Sequence, residues 1–330
     1  MPTFRELWVR LLHACCAGAD ISEDGHPLLR IAAALAVFPG RPEHPRSLGS
    51  VLGATVARFL PHAFLGVCQG TQSALWMAGC RKLVYCRDGE TALVATDTHI
   101  DVFRVASDTR SFELVRTVGG AGAGPLRFRC INGVFVDEDG AVFVVDTHHA
   151  GIVKLTSTLQ YDRILGTPSL DYPTGCCVDA TRVFVAEPQR HHVAVLDKRT
   201  GILRFCLGDR TTMCEPRDVC FVEFRKARCL AVACNFLVVI VDITDCLGAI
   251  LCNVRVGRSE PLDSAYAIAC TDANELLIGT RKHLYVLRVD RSLTPEALRF
   301  PEMSLPRASV RRDGVVTVCH YGGHAFHTYV

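Results

Sequence analysis

The sequence predicts an all-β fold, a six-bladed β-propeller that follows a short helical N-terminal segment. Three observations predict it. After residue 62 the apolar stretches are short and are separated by turn-forming residues, which is typical of strands joined by tight connections. A unit with the same layout recurs about every 40 to 50 residues, the length of a propeller blade. The stretches are apolar throughout instead of alternating, as expected where neighbouring sheets cover both faces of each sheet.

The repeating unit is most complete between residues 119 and 155. It opens with a loop containing Gly119, Gly120, Gly122 and Gly124, which allow backbone conformations that other residues resist. An Asp-Gly pair at Asp139 and Gly140 then predicts a hairpin turn between its first two strands. The strands are predicted at residues 133–136, 141–145, 152–155 and, more weakly, 159–165.

The residue that ends the second strand of each unit gives a marker for counting the repeats. Six such markers are found, and each precedes a third apolar stretch, so the sequence predicts six blades over residues 63–330. The last unit has no fourth strand of its own, and we expect residues 64–68 to pair beside it and close the ring. The markers are Asp97, Asp146, Glu187, Cys234, Thr280 and His320.

Residues 1–62 differ from the rest of the chain. Phe4, Leu7, Trp8 and Leu11 recur at helical intervals, so the sequence predicts a helical N-terminal segment. An apolar stripe of this kind is usually buried against the main domain. The alternative is a docking helix for a partner.

The composition is that of a nearly neutral globular protein. Of the 330 residues, 49% are hydrophobic and 21% charged, with 36 Lys and Arg against 34 Asp and Glu. Proteins that bind nucleic acid through phosphate contacts usually carry a basic stripe, whereas the basic pairs here, such as Arg225-Lys226 and Arg281-Lys282, are small and scattered. Nucleic-acid binding is therefore disfavoured.

The cysteines and the apolar segments indicate the compartment. The 17 cysteines contain no CxxC pair and many lie within apolar strands, so they are interpreted as small core residues in a reducing environment. Glu6, Arg10 and His13 interrupt any signal-peptide core. The longest apolar run, residues 229–243, is too short to span a bilayer. We expect a cytoplasmic protein that does not cross a membrane.

The best unit resembles a known family. Gly133-Val134, Val136-Asp137, Asp139-Gly140 and residues 142–146 match the NHL repeat, one blade of a β-propeller, and residues 172–196 follow the same order. The resemblance covers residues 119–208 and fades elsewhere to spacing and hydrophobicity. It implies an NHL-type propeller, a class that acts through protein interactions.

Histidines concentrate at one kind of position. Nine of the 13 lie in or beside the turns from second to third strand, which in a propeller emerge on one face. Rigid blades position such loops for binding, so we expect a protein or peptide partner on this rim. The predicted rim residues are His99, His148, His149, Arg190, His191, His192, Asn235, Arg281, His283 and His324.

A second interpretation of the histidines is a zinc site. Three imidazoles can hold one zinc ion, and the resemblance extends to peptidyl-hydroxyglycine amidating lyase, whose propeller binds zinc through histidines. The alternative is that each imidazole ring faces water or has a structural role. The metal candidates are His99, His148, His191, His283 and His320.

The acidic residues and the predicted channel give little support for a catalytic site. Asp97, Asp146 and Glu187 are expected to accept hydrogen bonds from backbone amides of the turns that follow them. A calcium site like that of six-bladed lactonases would need more oxygen ligands than Asn132 and Asp218 offer at the predicted channel.

The function predicted from the sequence is a noncatalytic, monomeric scaffold without a cofactor that binds a protein or peptide through one rim. The alternative is a metal-dependent lyase or hydrolase that uses the rim histidines with zinc. An RNA-binding propeller is a third possibility that the charge distribution disfavours.

Overall fold

A computed structural model describes residues 64–69, 79–106, 112–122, 124–244, 248–255, 264–289, 292–298, 305–311, 314–320 and 325–329. The predicted helical segment, residues 1–62, lies outside these residues. Within them the chain is built from strands, and the only helical turns are two short 3₁₀ turns at Thr147–His149 and Pro188–Arg190. The all-β prediction is confirmed.

Twenty-four strands follow one another along the described chain. They are β1 (Phe64–Gln69), β2 (Lys82–Tyr85), β3 (Thr91–Ala95), β4 (His99–Val105), β5 (Phe112–Gly119), β6 (Ile131–Val136), β7 (Val142–Asp146), β8 (Gly151–Leu155), β9 (Tyr161–Leu165), β10 (Cys176–Val178), β11 (Arg182–Glu187), β12 (His192–Asp197), β13 (Leu203–Leu207), β14 (Asp218–Phe224), β15 (Ala227–Cys234), β16 (Leu237–Asp242), β17 (Ile250–Arg255), β18 (Ala267–Cys270), β19 (Glu275–Gly279), β20 (Leu284–Arg288), β21 (Ser292–Leu298), β22 (Pro306–Val310), β23 (Val316–His320) and β24 (Ala325–Tyr329).

The strands form four-stranded sheets of two kinds. Five sheets, blades 1 to 5, each consist of four consecutive antiparallel strands: β2–β5, β6–β9, β10–β13, β14–β17 and β18–β21. The remaining sheet has the order β1-β24-β23-β22, and we call it the closing sheet. It joins a strand from before blade 1 to the last three strands of the chain. The predicted pairing of residues 64–68 beside the last strand is confirmed.

The first strand of each blade lies innermost and contacts the first strand of the next blade. The contacts run from β2 through β6, β10, β14 and β18 to β22, and β22 in turn contacts β2. The inner strands therefore close a ring around a central channel. The fold is a β-propeller.

Glycine is required where inner strands approach most closely. A Cβ added at Gly175 would lie 2.4 Å from Asp218 Oδ1 and 2.7 Å from the Asp218 Cα. A Cβ at Gly133 would lie 2.8 Å from the backbone oxygen of Thr174. These distances are too short for any side chain, so the inner strands are crowded at these two positions.

The second strands are buried on both faces, which explains their continuous apolar sequence. All five residues of β7 are buried, and in β11 only the first residue is partly exposed. Phe143 and Phe184, both fully buried, belong to hydrophobic clusters that include residues of neighbouring blades. Burial of each such side chain stabilises the fold by roughly 1.5–3 kcal/mol.

The turns between first and second strands, together with those between third and fourth strands, lie on what we call the far face. Here charged side chains bind across blade boundaries. Lys198 Nζ of blade 3 lies 3.0 Å from the buried Asp137 Oδ2 of blade 2, and Arg182 Nη1 donates to the Ile243 backbone oxygen of blade 4 at 2.8 Å. Arg87 Nε of blade 1 donates to the Asp137 backbone oxygen at 3.0 Å. The far face thus links the blades to one another.

Candidate functional site

The turns between second and third strands and the loops before the inner strands lie together on the opposite side, which we call the loop face. Backbone hydrogen bonds join the two sets of segments. Thr147 N donates to Cys130 O at 2.9 Å, and Asn235 N donates to Cys214 O at 2.9 Å. Leu305 N donates to Arg281 O at 3.0 Å. These bonds place the two sets of segments side by side in blades 2 and 4 and at the junction of blade 5 with the closing sheet.

A buried carboxylate anchors the loop face in blade 2. Asp146, at the end of β7, is fully buried and accepts hydrogen bonds from the backbone amides of Arg129 at 3.0 Å and Cys130 at 3.1 Å. His149 Nδ1 lies 2.6 Å from Asp146 Oδ2. The carboxylate thus holds the loop that precedes its blade and orients an imidazole of the following turn.

In blade 3 a glutamate takes the place of Asp146 and makes the same kinds of contact. Glu187, at the end of β11, accepts the Asp171 backbone amide at 2.5 Å through Oε1, and its Oε2 lies 2.9 Å from His192 Nε2. The expectation that these carboxylates bind the amides of the turns after them is wrong. They bind the preceding loop because the turns after β7 and β11 satisfy their own amides as 3₁₀ turns.

Asp97 in blade 1 departs from the pattern. Its Oδ1 accepts a hydrogen bond from Arg81 Nε at 2.5 Å, and its carboxylate is 48% exposed. The buried carboxylate of this blade is instead Asp101, in β4, whose Oδ1 accepts the Thr117 hydroxyl at 2.6 Å. His99 Nε2 lies 3.5 Å from Asp101 Oδ2, and this carboxylate raises the pKa of His99 against the opposing effect of burial.

The remaining predicted rim residues lie on the same face but point to different neighbours. His191 Nδ1 accepts the Glu215 backbone amide at 3.1 Å. The His148 ring lies 6.0 Å from that of Tyr172, and the His283 ring lies 6.0 Å from that of Tyr285. Asn235 Oδ1 accepts the Ser264 hydroxyl. Arg190 and Arg281 are exposed, and His324 lies outside the described residues.

The histidines therefore do not converge among the residues that the structure describes. Three of the rings contact carboxylates of their own blades, and no group of three or more His, Cys, Asp or Glu in the described part of the chain could hold a metal ion. His99, His148, His191 and His283 do not fit a zinc site. For His320 the structure describes only the backbone, which ends β23.

A salt bridge spans the central channel. Lys82 Nζ, in β2, lies 2.5 Å from Asp218 Oδ2, in β14, and both side chains are nearly buried, at 11% and 5% exposure. β2 and β14 are opposite in the ring of six inner strands, because each lies three places from the other in both directions. Asp218 Oδ2 also accepts the Ile268 amide at 3.1 Å. Asp218, one of the two oxygen ligands considered for a channel calcium, is therefore bound to an ammonium group, and sequence reasoning had not considered Lys82.

Two exposed aromatic residues on the loop face were missed by sequence reasoning. Tyr172, in the loop before β10, is 38% exposed and has a φ of 57°. Phe236, in the two-residue turn between β15 and β16, is 41% exposed and has a φ of 67°. A non-glycine residue at positive φ is uncommon, and for a bulky one it is a clear outlier. The signal available in the sequence was an aromatic residue where a hairpin turn favours glycine.

The loop face also carries cations without partners. Five exposed basic side chains have no hydrogen bond or ion pair with the described residues, although they come from loops of blades 2, 4 and 5 and lie far apart in the sequence. The exposed acidic residues of these loops are fewer, and the Asp209 carboxylate already binds the amides of Thr211 and Thr212. The unpaired cations are Arg127, Arg129, Arg210, Arg281 and Lys282.

Most cysteines whose side chains the structure describes lie in the core. The 13 cysteines whose side chains the structure describes are free, and twelve of them are buried or half-buried, so their interpretation as core residues is supported. Burial raises the pKa of Cys234 to about 12 and that of Cys86 to about 11. A thiol of such high pKa stays protonated at neutral pH and is a poor nucleophile.

Comparison with known proteins supports the fold. The chain is similar to the solved β-propeller domain of Cps50 (Swd1) from Myceliophteria thermophila, with a TM-score of 0.54 and 9% sequence identity over 76% of this chain and 96% of that one. No family model and no curated protein matches the chain. The propeller is therefore established, and the resemblance to the NHL repeat stays a prediction. In the described part of the chain, no helix has the length and apolar character needed to cross a membrane.

Proposed function

We propose that this protein is a noncatalytic interaction scaffold, a six-bladed propeller of NHL type, that binds a protein or peptide on its loop face. Propeller domains commonly serve as protein-interaction scaffolds. The structure has five blades of consecutive strands, and the proposal counts the closing sheet as the sixth; the order of residues 119–208 supports the NHL assignment. We propose further that the protein acts as a cytoplasmic monomer, in keeping with its many free cysteines.

The observation that carries this proposal is the pair of exposed aromatic residues at positive φ. A non-glycine residue in the left-handed region costs about 1 kcal/mol or more, and an exposed aromatic ring gains little from burial to offset that cost. Tyr172 and Phe236 both meet this description on the same face. Tyr and other aromatic residues dominate the energetics of protein interfaces because they bury large areas with few rotatable bonds.

The surroundings of the two rings fit a binding surface. The exposed His148 lies beside Tyr172, and Arg190 Nη1 donates to the Ser169 backbone oxygen at 2.6 Å, which places an exposed guanidinium near the same loop. The loops are held from beneath by Asp146 and Glu187. A rigid support with exposed aromatic and basic groups is suited to binding a chain without large rearrangement.

The proposal is tested with a displayed peptide library. Peptides selected on the wild-type protein are titrated against a Tyr172→Ala/Phe236→Ala double variant. We expect the double variant to bind the selected peptides at least tenfold more weakly, because the two rings would supply the largest contact area.

The matched control is a Tyr161→Ala/Ile202→Ala double variant, which removes two exposed apolar side chains, one from the outer strand of blade 2 and one from the turn just before the outer strand of blade 3. This control should bind like the wild type. Failure to select any peptide, or equal binding by the loop-face double variant, would contradict the proposal.

A further inference from the structure

The mouth of the central channel holds more positive than negative charge. Arg81 precedes β2, Lys82 begins β2, and Arg307 lies in β22, so all three cations come from the start of inner strands. The carboxylates among them are Asp97 and Asp218. Each of these is already paired, Asp97 with Arg81 and Asp218 with Lys82. One positive charge, that of Arg307, is left over.

Arg307 reaches across the mouth to blade 2. Its Nη1 donates to the Asn132 backbone oxygen at 3.2 Å, and Arg81 Nη1 lies 3.5 Å from the Asn132 side-chain oxygen. Two guanidinium groups thus meet at one residue. The Arg307 side chain is half-buried, and among the described residues it has no carboxylate partner.

A guanidinium in this position is costly without a counter-charge. Taking a cation out of water costs several kcal/mol, and a single neutral carbonyl recovers only part of that cost. Burial accordingly lowers the pKa of Arg307, although the nearby Asp218 carboxylate opposes this effect. Arginine at such a site presents a rigid fork of donors that matches carboxylate and phosphate oxygens.

A second unsatisfied donor lies at the start of β14, the strand that carries Asp218. Arg217 immediately precedes Asp218, and its Nε is buried without a hydrogen-bond partner in the described structure. The rest of its guanidinium is held in place, since Nη2 donates to Glu215 at 2.9 Å and the group stacks 4.7 Å from the centre of the Tyr266 ring. A buried donor that is left unpaired destabilises the protein, so its presence points to an acceptor supplied by a ligand.

We propose that the mouth of the channel is an oxyanion site that receives a carboxylate or phosphate group of the ligand bound on the loop face. This inference rests on the proposed function and names the chemistry of its partner, an acidic or phosphorylated peptide. Arg307 supplies the fork that binds the oxyanion, and Arg217 Nε is a candidate for a second donor from the start of β14. The unpaired cations Arg127, Arg210 and Arg281 steer the acidic segment toward the mouth.

Inorganic phosphate tests the site without any peptide. Thermal unfolding is measured with increasing phosphate, with sodium chloride holding the ionic strength constant. We expect phosphate to raise the Tm of the wild type, because a ligand that binds only the folded state stabilises it. The Arg307→Gln variant should lose this shift, whereas Arg104→Gln, which removes an exposed charge from β4, should keep it.

The same variants separate a binding role from a structural one. Without phosphate, Arg307→Gln should have an unchanged or higher Tm, because it removes a half-buried charge that no carboxylate contacts directly. A lower Tm together with a preserved phosphate shift would overturn the proposal. Should Arg307→Gln fail to fold, Arg307→Lys and Arg217→Gln provide the test, and each should weaken phosphate binding about tenfold.

Peptide probes then identify the source of the oxyanion. Peptides selected on the loop face are compared with versions in which one acidic position is Glu, phosphoserine or serine. Tighter binding of the Glu or phosphoserine versions, lost in Arg307→Gln, supports the site, and the preferred version shows whether the group is a carboxylate or a phosphate. Equal binding of the serine version overturns it while leaving the proposed function intact. Binding of a single-stranded RNA oligomer in place of the peptides would overturn it as well.

Asp218 gives a prediction of the opposite sign. Asp218→Asn removes a negative charge from the mouth and leaves an oxygen that can accept the Ile268 amide. We expect this variant to bind phosphate several-fold more tightly than the wild type. Weaker binding would show that Asp218 and Lys82 form the site in place of Arg307, contrary to the proposal.

Discussion

The two faces of the propeller use charged residues in different ways. On the far face, Lys198, Arg182 and Arg87 bind acceptors of neighbouring blades, and the carboxylates of the turns accept backbone amides. On the loop face, buried carboxylates hold the backbone from within, while several exposed cations and two exposed aromatic rings have no such partners.

This difference separates groups that hold the protein together from groups that are available to a ligand. A charge that is paired and hydrogen-bonded contributes to stability, and its loss is felt throughout the fold. A charge or ring that is exposed and unpaired adds little to stability. Mutations on the far face should therefore lower the free energy of unfolding. Mutations on the exposed part of the loop face should weaken ligand binding instead.

The largest effect is expected for Asp137→Ala on the far face. Asp137 is 2% exposed, and its Oδ1 accepts the amides of Asp139 and Ala141 while its Oδ2 binds Lys198. The variant leaves these donors unsatisfied and should lower the free energy of unfolding by about 2–4 kcal/mol in a urea titration. Asp139→Ala is the control in the same turn, since its side chain is 84% exposed, and it should stay within about 0.5 kcal/mol.

The next effect is expected at the carboxylate beneath the loop face. Asp146→Asn removes the negative charge that binds His149 and weakens its bonds to the Arg129 and Cys130 amides. We expect a loss of about 2 kcal/mol in the free energy of unfolding. His148→Ala, at the exposed neighbour of His149, should be nearly neutral. Similar losses in both variants would show that the exposed rim is structural too.

A smaller effect of opposite sign is expected at Phe236. Phe236→Gly relieves the left-handed backbone and should raise the free energy of unfolding by about 0.5 kcal/mol, after the greater flexibility of glycine in the unfolded chain is taken into account. Phe236→Ala keeps the strained backbone and should give no such gain. A destabilised glycine variant would mean that the ring packs for stability, and the contrast between the faces would not hold at this turn.

The smallest effect is a pH dependence at His99. Because Asp101 raises the pKa of His99 in the folded state, the stabilisation by this pair is fully present below the unfolded pKa of about 6.5 and is lost as pH rises through the folded value. The stability difference between the wild type and His99→Gln should shrink by about 0.5 kcal/mol between pH 6 and about pH 8. If the difference in the free energy of unfolding stays constant between pH 6 and about pH 8, the contact between His99 and Asp101 does not depend on the protonation of His99.

The sequence predicted the strands of the best unit closely, because hairpin turns and apolar stretches are local signals. Strands predicted at residues 133–136 and 152–155 are observed as Ile131–Val136 and Gly151–Leu155. The missing outer strand was also predictable, since an unpaired sheet edge needs a partner. The partners of the histidines were not predictable, because Asp146 and Glu187 could bind the segments before or after them and only packing chooses between them.

By itself, the sequence determined the repeat length, the apolar strands and the need to close the ring, since each depends on residues near one another in the chain or on the edge of one sheet. The tertiary structure alone decided which charges meet. Lys82 and Asp218 are separated by 136 positions yet pair across the channel, and Arg307 reaches Asn132 over 175 positions. The closure of the ring brings these residues together. No local sequence pattern could therefore predict that the Arg307 charge has no carboxylate contact at the mouth of the channel.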